Sequence, residues 1–188
     1  METAVLISPE EYLAQERLAT YKSEYFEGEV IAMAGASTNH NRISYNVVGF
    51  LWNALRNTDF VAFHSDMKVR NTVTDSFLYP DVVMFNETEA EFFDEERDIL
   101  LNPRAIIEIL SPSTAEYDRS NKFEAYKQLE SLQEYILVAQ DRVHVEIYRS
   151  TSSTTWLYSE FFTLATSAPI ATLGVAMPLA SIYERVKF

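Results

Sequence analysis

The segment 105–110 constrains the fold of this chain most, because it is an apolar run interrupted by one charge. Its sequence, Ala-Ile-Ile-Glu-Ile-Leu, lacks the alternation of apolar and polar residues that a half-exposed strand shows. Such a run is typical of a strand covered on both faces, so the pattern predicts a sheet with packing layers on both sides. An ionised Glu108 in that strand would cost several kcal/mol without a cation, a metal or several hydrogen bonds. We therefore expect a compensating group beside Glu108.

The other periodicities predict an α/β fold, with a mixed sheet flanked by helices. Helical spacing or capping residues mark residues 8–18, 37–56 and 118–132. Ser8-x-x-Glu11 and Ser113-x-x-Glu116 are possible capping boxes. Strand-like runs and turn residues predict a hairpin over 22–33 that turns at Glu27-Gly28, and strands over 60–69, 77–85, 105–110, 134–139, 143–149 and 155–164. No linker or repeat divides them, so we expect a single domain over residues 1–188.

Charge and cysteine content narrow the chemistry. The 15 Lys and Arg residues against 28 acids give a net charge of −13, the opposite of the basic footprint of a high-affinity DNA clamp. Residues 87–98 hold seven acids and one arginine, and we expect a solvated acidic loop there. The absence of cysteine excludes disulfides and thiolate chemistry. Residues 1–11 do not resemble a signal peptide and no apolar run is long enough to span a membrane, so we expect a cytoplasmic protein.

Asp81 is the second carboxylate that does not fit an ordinary core. Alternation over residues 77–85 places it among apolar side chains on one face of a strand. If that strand pairs antiparallel with 105–110, Asp81 and Glu108 become neighbours. Two adjacent carboxylates repel each other, so a proton or a divalent cation must compensate them, and oxygen ligands favour magnesium, manganese or calcium. The alternative, that each acid pairs with an Arg or Lys, stays open.

Four further side chains are candidates for the same pocket. Lys122 could orient an attacking water or stabilise developing charge, or it could be an ordinary exposed lysine. His40 could act as a base or contact phosphate, or lie on the surface near a helix start. Glu24 could add a third carboxylate, or stand exposed on a strand edge. Tyr126 could bind within the site, although packing is the simpler interpretation.

An ordered set of short motifs covers nearly the whole chain. They are Glu24-Tyr-Phe-Glu-Gly28-Glu, His40, Tyr79-Pro80-Asp81-Val82, Ile107-Glu108-Ile-Leu-Ser-Pro-Ser-Thr114, Asp118, Lys122, Tyr126 and Glu134-Tyr135-Ile-Leu-Val138. In this order they resemble the Uma-two (Uma2) family of restriction-endonuclease-like proteins, which belongs to the PD-(D/E)XK nuclease class. The resemblance implies the restriction-endonuclease-like fold.

The resemblance also implies roles for individual residues. Pro80-Asp81 corresponds to the PD element, and Glu108 to the second metal-binding acid. The class pattern has a lysine two residues after that acid, where this chain has Leu110. The family's basic group comes instead from the next helix, which points to Lys122. Position in the pattern adds Glu24 and His40 to the implied catalytic set.

Three functions compete at this point. The first is an endonuclease that depends on Mg²⁺ or Mn²⁺ and hydrolyses phosphodiester bonds in DNA, with Asp81 and Glu108 as metal ligands. The second is a catalytically inactive binding or assembly module that keeps the nuclease fold, which suits the net charge of −13. The third is a hydrolase of a small phosphorylated molecule. We also expect a homodimer. The 12 Phe and 11 Tyr make exposed aromatic side chains abundant, and two active sites related by a two-fold axis suit cleavage of both strands of a duplex.

Overall fold

The computed structural model describes residues 6–188. Its strands, in chain order, are β1 (Ser23–Phe26), β2 (Glu29–Ala32), β3 (Phe60–His64), β4 (Lys68–Asn71), β5 (Ser76–Leu78), β6 (Val82–Asn86), β7 (Ile99–Leu100), β8 (Ala105–Leu110), β9 (Glu134–Ala139), β10 (Val145–Ser152), β11 (Thr155–Phe161), β12 (Ser167–Ile170) and β13 (Val175–Pro178). Its α-helices are α1 (Pro9–Glu16), α2 (Thr38–Ala54), α3 (Ala115–Tyr117), α4 (Phe123–Tyr126) and α5 (Leu179–Ile182). A π-helical segment, Asp118–Lys122, joins α3 to α4.

Two larger sheets and one small hairpin hold these strands. The larger sheet has the order β11-β10-β9-β8-β6-β3, in which only β8 and β9 run parallel. The second sheet has the order β2-β1-β5-β4-β7, and β12 pairs with β13. None of the helices within residues 6–188 combines the length and apolar character that crossing a membrane requires. Residues 1–5 of the segment inspected for a signal peptide lie outside the described residues.

Strand β8 lies in the middle of the core, as its apolar run predicts. All six of its residues are buried. Ile107 and Ile109 belong to the core on the α2 side, whereas Ile106 and Leu110 belong to the core on the side of α4. Glu108 falls between Ile106 and Leu110 in the alternation and therefore faces the α4 side. The predicted coverage of this strand on both faces is confirmed.

Two predicted strands are each divided between the two sheets, and this corrects the sequence interpretation. The run 60–69 becomes β3 and β4, with a turn at Ser65 and Asp66. The run 77–85 becomes β5 and β6, separated by Tyr79–Asp81. Pro80 has no N–H to donate to a ladder, so the chain leaves one sheet there and enters the other. Asp81 therefore stands just before β6 and does not lie midway along one continuous strand.

The helix predicted over 118–132 is also different in the structure. It begins at Ala115 and ends at Tyr126, after which the chain forms tight turns. The capping box predicted at Ser113 and Glu116 is wrong, because Thr114 occupies the N-cap position without a side-chain cap hydrogen bond. Its hydroxyl instead donates to Asp118 Oδ2 at 2.8 Å. The Thr114 hydroxyl thus hydrogen-bonds to the buried Asp118 carboxylate and does not cap the helix.

The predicted starts of α1 and α2 and the first hairpin are confirmed. Ser8 Oγ accepts from the N–H of Glu11 at the start of α1, and Ser37 Oγ accepts from the N–H of His40 at the start of α2. The hairpin turns at Glu27 and Gly28, which both have positive φ. This geometry is that of the two-residue turns that suit the twist of antiparallel strands.

Replacing Gly28 by alanine is expected to lower the free energy of unfolding by about 1 kcal/mol or more. Gly28 has φ +93°, and an added Cβ would lie 3.1 Å from the Leu6 side chain. The matched control is Gly49→Ala in the interior of α2, where an added Cβ meets nothing within 4 Å. That change is expected to raise stability by about 0.5–1 kcal/mol. Urea unfolding of both variants checks the pair, and equal shifts would contradict it.

Candidate active site

A cleft of about 720 Å³ opens where the two sheets meet. Its walls come from the first hairpin, the start of α2, the segment that links β5 to β6, the end of β8 and the helical turns that follow. The predicted site residues Glu24, His40, Asp81, Glu108 and Lys122 all line it. Residues separated by almost one hundred positions in sequence therefore share one solvent-connected space.

Asp81 and Glu108 are direct neighbours across two antiparallel strands. The register pairs Val82 with Ile107, so Asp81 stands opposite Glu108. The N–H of Asp81 donates to Glu108 Oε2 at 3.3 Å, and the N–H of Ile109 donates to Asp81 Oδ2 at 2.7 Å. The adjacency expected from antiparallel pairing is thus present, although Asp81 lies outside the strand itself.

Lys122 lies among carboxylates and is buried rather than exposed. Its Nζ is 2.9 Å from Glu24 Oε1, 3.0 Å from Glu108 Oε1 and 3.8 Å from Asp118 Oδ1. Only 5% of Lys122 is accessible to solvent. Glu24 also accepts from the N–H of Tyr79 at 2.9 Å, so it is held by both charge and backbone. The structure therefore brings Glu24, Glu108 and Lys122 together.

The π-helical segment explains how one short helix carries two charged side chains into the interior. A π turn widens the helix by one residue and shifts the side chains that follow, and such turns are frequent at functional sites. Asp118 and Lys122 are the first and last residues of this segment, and both are buried. Tyr135 on β9 donates its hydroxyl to the carbonyl of Asp118 at 2.8 Å. This hydrogen bond therefore ties the π-helical segment to β9.

His40, at the start of α2, contacts Asp81 from the α2 wall of the cleft. Its Nε2 lies 3.1 Å from Asp81 Oδ2, while its Nδ1 is buried and has no hydrogen-bond partner within residues 6–188. The hydroxyl of Ser37, which caps this end of α2, also contacts the side chain of Gln140 at the end of β9. The first turn of α2 is thereby anchored, and His40 is held near Asp81.

The charges of the site are unbalanced toward the negative. Four carboxylates, Glu24, Asp81, Glu108 and Asp118, line the cleft, and Lys122 lies within 4 Å of all of them except Asp81. Burial raises the pKa of Glu108 well above its usual value, and although Lys122 opposes this, Asp81, Asp118 and Glu24 add to it. Burial likewise raises the pKa of Asp118. Burial alone would lower the pKa of Lys122, but Glu108, Glu24 and Asp118 together raise it well above its usual value. The lysine therefore stays charged, while Glu108 and Asp118 favour a proton or a further cation.

A raised pKa at Glu108 has a defined consequence for stability in EDTA. Between the ordinary pKa of 4.5 and the raised pKa, the folded protein binds a proton that the unfolded chain has already released. The free energy of unfolding that this group contributes is therefore expected to decrease as pH rises from the ordinary value toward the raised one. The difference in urea stability between the unsubstituted protein and Glu108→Gln measures this term across pH. A difference that does not change with pH would contradict it.

Glu134 shows what a structural buried carboxylate looks like in this fold. It is fully buried, yet Arg149 Nε donates to it at 2.8 Å, and the N–H groups of Ala171 and Thr172 donate at 3.1 and 2.9 Å. Glu108 differs, because its Oε1 has the ammonium of Lys122 at 3.0 Å but makes no hydrogen bond of acceptable geometry. The contrast marks Glu108 as a carboxylate whose interactions are incomplete.

Other buried polar groups that lack a hydrogen-bond partner within residues 6–188 line the same cleft. Within residues 6–188, buried atoms without a hydrogen-bond partner include His40 Nδ1, Ser44 Oγ and Tyr117 OH. Buried polar groups are seldom left unpaired, so these atoms indicate a place for water or a ligand. Sequence reasoning did not identify Ser44 or Tyr117 and assigned no role to Asp118. Spacing could have suggested two of them, since Ser44 follows His40 by one helical turn and Asp118 precedes Lys122 by one.

The carboxylate oxygens of the cleft favour hard cations such as Mg²⁺, but they do not form a complete set of ligands. Within the described part of the chain, no group of three or more His, Asp or Glu side chains has the arrangement of a complete metal site. Asp81 and Glu108 are the two adjacent carboxylates at the cleft, whereas Glu24 and Asp118 lie against Lys122. Mg²⁺ commonly binds through one or two carboxylates, with water and substrate oxygens completing its shell. Asp81 and Glu108 are therefore the residues that could hold such an ion.

Comparison with known proteins gives consistent results. A family model named Uma2, described as "Putative restriction endonuclease", matches residues 9–180. Two proteins of Synechocystis sp. are similar, and both are described as uncharacterised. The protein sll1609 is 38% identical over 158 residues, which cover 84% of this chain and 89% of the relative. The protein slr1290 is 31% identical over 182 residues, which cover 97% and 94%.

A solved structure has the same fold. The crystal structure of "a putative nuclease belonging to DUF820" from Anabaena variabilis superimposes with a TM-score of 0.78. The match covers 96% of this chain and 99% of that one, at 20% sequence identity. At that identity the likeness concerns the arrangement of the backbone. The predicted fold class is confirmed by it.

Proposed function

This chain belongs to the Uma2 family of restriction-endonuclease-like proteins, and from that premise we propose that it is a Mg²⁺- or Mn²⁺-dependent endonuclease that hydrolyses phosphodiester bonds in DNA. The observation that carries the proposal is the arrangement of the half-buried Asp81 with the buried Glu108 and Lys122 at the cleft between the sheets. Two carboxylates supply cation ligands, and the ammonium supplies a fixed positive charge. Hydrolysis of a phosphodiester uses both.

The residues present fit a divalent cation. Glu108 Oε1 is a buried oxygen without a hydrogen bond, and within residues 6–188 the hydrogen bonds of the Asp81 carboxylate all fall on Oδ2. Asp81 and Glu108 would hold the ion. When bound, the ion would polarise the phosphate and lower the pKa of a coordinated water.

The remaining side chains have roles that follow from their contacts. Lys122 keeps a positive charge beside Glu108, where it can stabilise charge that develops on the phosphate. Glu24 holds that ammonium in place from the other sheet. His40 orients the Asp81 carboxylate through Oδ2, and it is also close enough to the site to exchange a proton with an attacking water.

A second function has its own support. Lys122 already compensates Glu108 in part, and a net charge of −13 suits a protein that does not cleave nucleic acid. In that case the chain would be a binding or assembly module that retains the fold. The two functions differ in whether the cleft binds a divalent cation and whether binding leads to cleavage.

The test measures Mn²⁺ binding by calorimetry and plasmid cleavage with Mg²⁺, Mn²⁺ or EDTA. We expect cation binding and metal-dependent nicking, both lost in Asp81→Ala. The control is Asp141→Asn, an exposed carboxylate paired with Arg142 outside the cleft, which should behave as the unsubstituted protein does. Cation binding without cleavage of any plasmid or linear DNA would favour the binding module, and nicking that survives Asp81→Ala would overturn the assignment of the site.

A further inference from the structure

The surface of α2 differs in charge from the rest of the chain. Residues 30–58 contain no Asp or Glu, although the 188-residue chain has 28 acids. This segment includes all of α2 (Thr38–Ala54). A polyanion is repelled by most of an acidic surface, so an acid-free helix beside the cleft is where such a ligand meets least repulsion.

The exposed face of α2 presents two aromatic side chains to solvent. Tyr45 is 80% exposed and Trp52 is 69% exposed. They are seven residues apart and lie opposite the buried stripe of Ile43, Val47 and Leu51. The helix does not need these rings for its own packing.

Arginine side chains flank these rings. Arg42 lies one turn before Tyr45, and Arg56 follows the end of the helix one turn after Trp52. Within residues 6–188 neither arginine forms a salt bridge. Their guanidinium groups are thus available to an external anion.

A groove connects this face with the active-site cleft. It has a volume of about 580 Å³, and its walls include Arg42, Tyr45, Asn46 and Arg185, with Glu184 as the acid that lines it beside Arg185. Asn41 lines both the groove and the cleft. The groove therefore adjoins the cleft at Asn41, on the side where His40 contacts Asp81.

We propose that the exposed face of α2, from Asn41 to Arg56, is a binding track for single-stranded nucleic acid that leads into the cleft. The proposal rests on the proposed nuclease function and names the form of its substrate. Exposed aromatic rings stack on bases, and arginines bind the phosphates between them. A duplex keeps its bases stacked inside, so free rings at this face favour an unpaired strand.

A second copy of this chain is the competing occupant, since exposed aromatics also suit a homodimer. A two-fold interface centred on this face would bring the arginines of one copy toward those of the other, with no Asp or Glu from residues 30–58 to neutralise them. Phosphate complements that charge and a second copy does not. The face therefore fits nucleic acid better.

The test is fluorescence anisotropy of a labelled oligothymidylate, titrated with the full chain in EDTA at low salt so that no cleavage occurs. Tyr45→Ala and Trp52→Ala are each expected to weaken binding about tenfold. Arg42→Gln is expected to reduce the slope of log affinity against log salt by about 0.7, the value for one phosphate contact on a single strand. Thermal melts establish that each variant remains folded.

Two matched controls and three contrary outcomes make the test decisive. Tyr21→Ala and Arg142→Gln remove an exposed tyrosine and an exposed arginine that line neither the groove nor the cleft, and should leave binding unchanged. Equal affinity in all variants overturns the proposal, as does a duplex that binds as tightly as the single strand. So does a loss of dimer in sedimentation on Trp52→Ala with oligonucleotide affinity intact.

This outcome is separable from that of the nuclease proposal. Plasmid nicking that continues when the α2 variants bind oligothymidylate normally would remove the track and leave the nuclease. Binding that depends on Tyr45 and Trp52 in a protein that never cleaves would keep the track and remove the nuclease.

Discussion

Replacing Lys122 by methionine is expected to lower the free energy of unfolding at neutral pH by about 3–5 kcal/mol. The methionine fills a similar volume but leaves Glu24 and Glu108 without the ammonium that lies 2.9 and 3.0 Å from them. Both carboxylates are almost fully buried, so solvent cannot replace the lost interaction. The loss should shrink at acidic pH, because a protonated acid needs no counter-charge, and burial raises the pKa of Glu108 well above its usual value.

Urea unfolding measures this effect, and two variants control it. The double substitution Glu24→Gln with Lys122→Met removes one of the stranded charges and should recover a substantial part of the loss. Lys127→Met breaks the exposed pair with Glu124 on the same helical region, and should change stability by less than about 1 kcal/mol. A Lys122→Met protein as stable as Lys127→Met would mean that the buried cluster is not ionised.

Glu108→Gln is expected to reduce metal-dependent cleavage about a thousandfold, which corresponds to about 4 kcal/mol of transition-state stabilisation. The substitution keeps the shape of the side chain but removes one of the two proposed cation ligands. Stability in EDTA should stay the same or rise at neutral pH, because a neutral amide replaces a carboxylate whose burial and acidic neighbours oppose its charge. Loss of activity without loss of stability is the signature of a residue held in place for chemistry.

Glu134→Gln is the matched control for that measurement. Glu134 is equally buried, but Arg149 and two backbone N–H groups satisfy it. Its substitution should destabilise the protein by about 3 kcal/mol, and cleavage by the fraction that remains folded should be near normal. If both variants lose stability alike, Glu108 would have to be regarded as a structural residue.

The part of the fold predicted from sequence is the part that local pattern determines. Strand β8 was recognisable because full burial removes the alternation of polar residues, and α2 because its buried stripe follows helical spacing. The adjacency of Asp81 and Glu108 required only that their strands pair antiparallel, and they do. The catalytic roles, the bound cation, the homodimer and the single domain stay predictions.

The features that sequence could not give depend on contacts between distant segments. Local signals, the polar Ser65 and Asp66 and the proline Pro80, are compatible with a break in each strand, but they do not show that the chain passes there from one sheet to the other. The π turn at Asp118–Lys122 coincides with the burial of two charged side chains, which local spacing does not predict. Strands β7, β12 and β13 are too short for periodicity, and what defines them is pairing, of β7 with β4 and of β12 with β13.

The position of Lys122 has a consequence for how this protein can diverge. Glu24 belongs to the β2-β1-β5-β4-β7 sheet and Glu108 to the other large sheet, and the same ammonium contacts both. A descendant protein in which this lysine was replaced would also lose the ion pairs that join its two large sheets. We expect such lineages to change first at the rim of the cleft, and to keep the lysine whether or not the cleft catalyses a reaction.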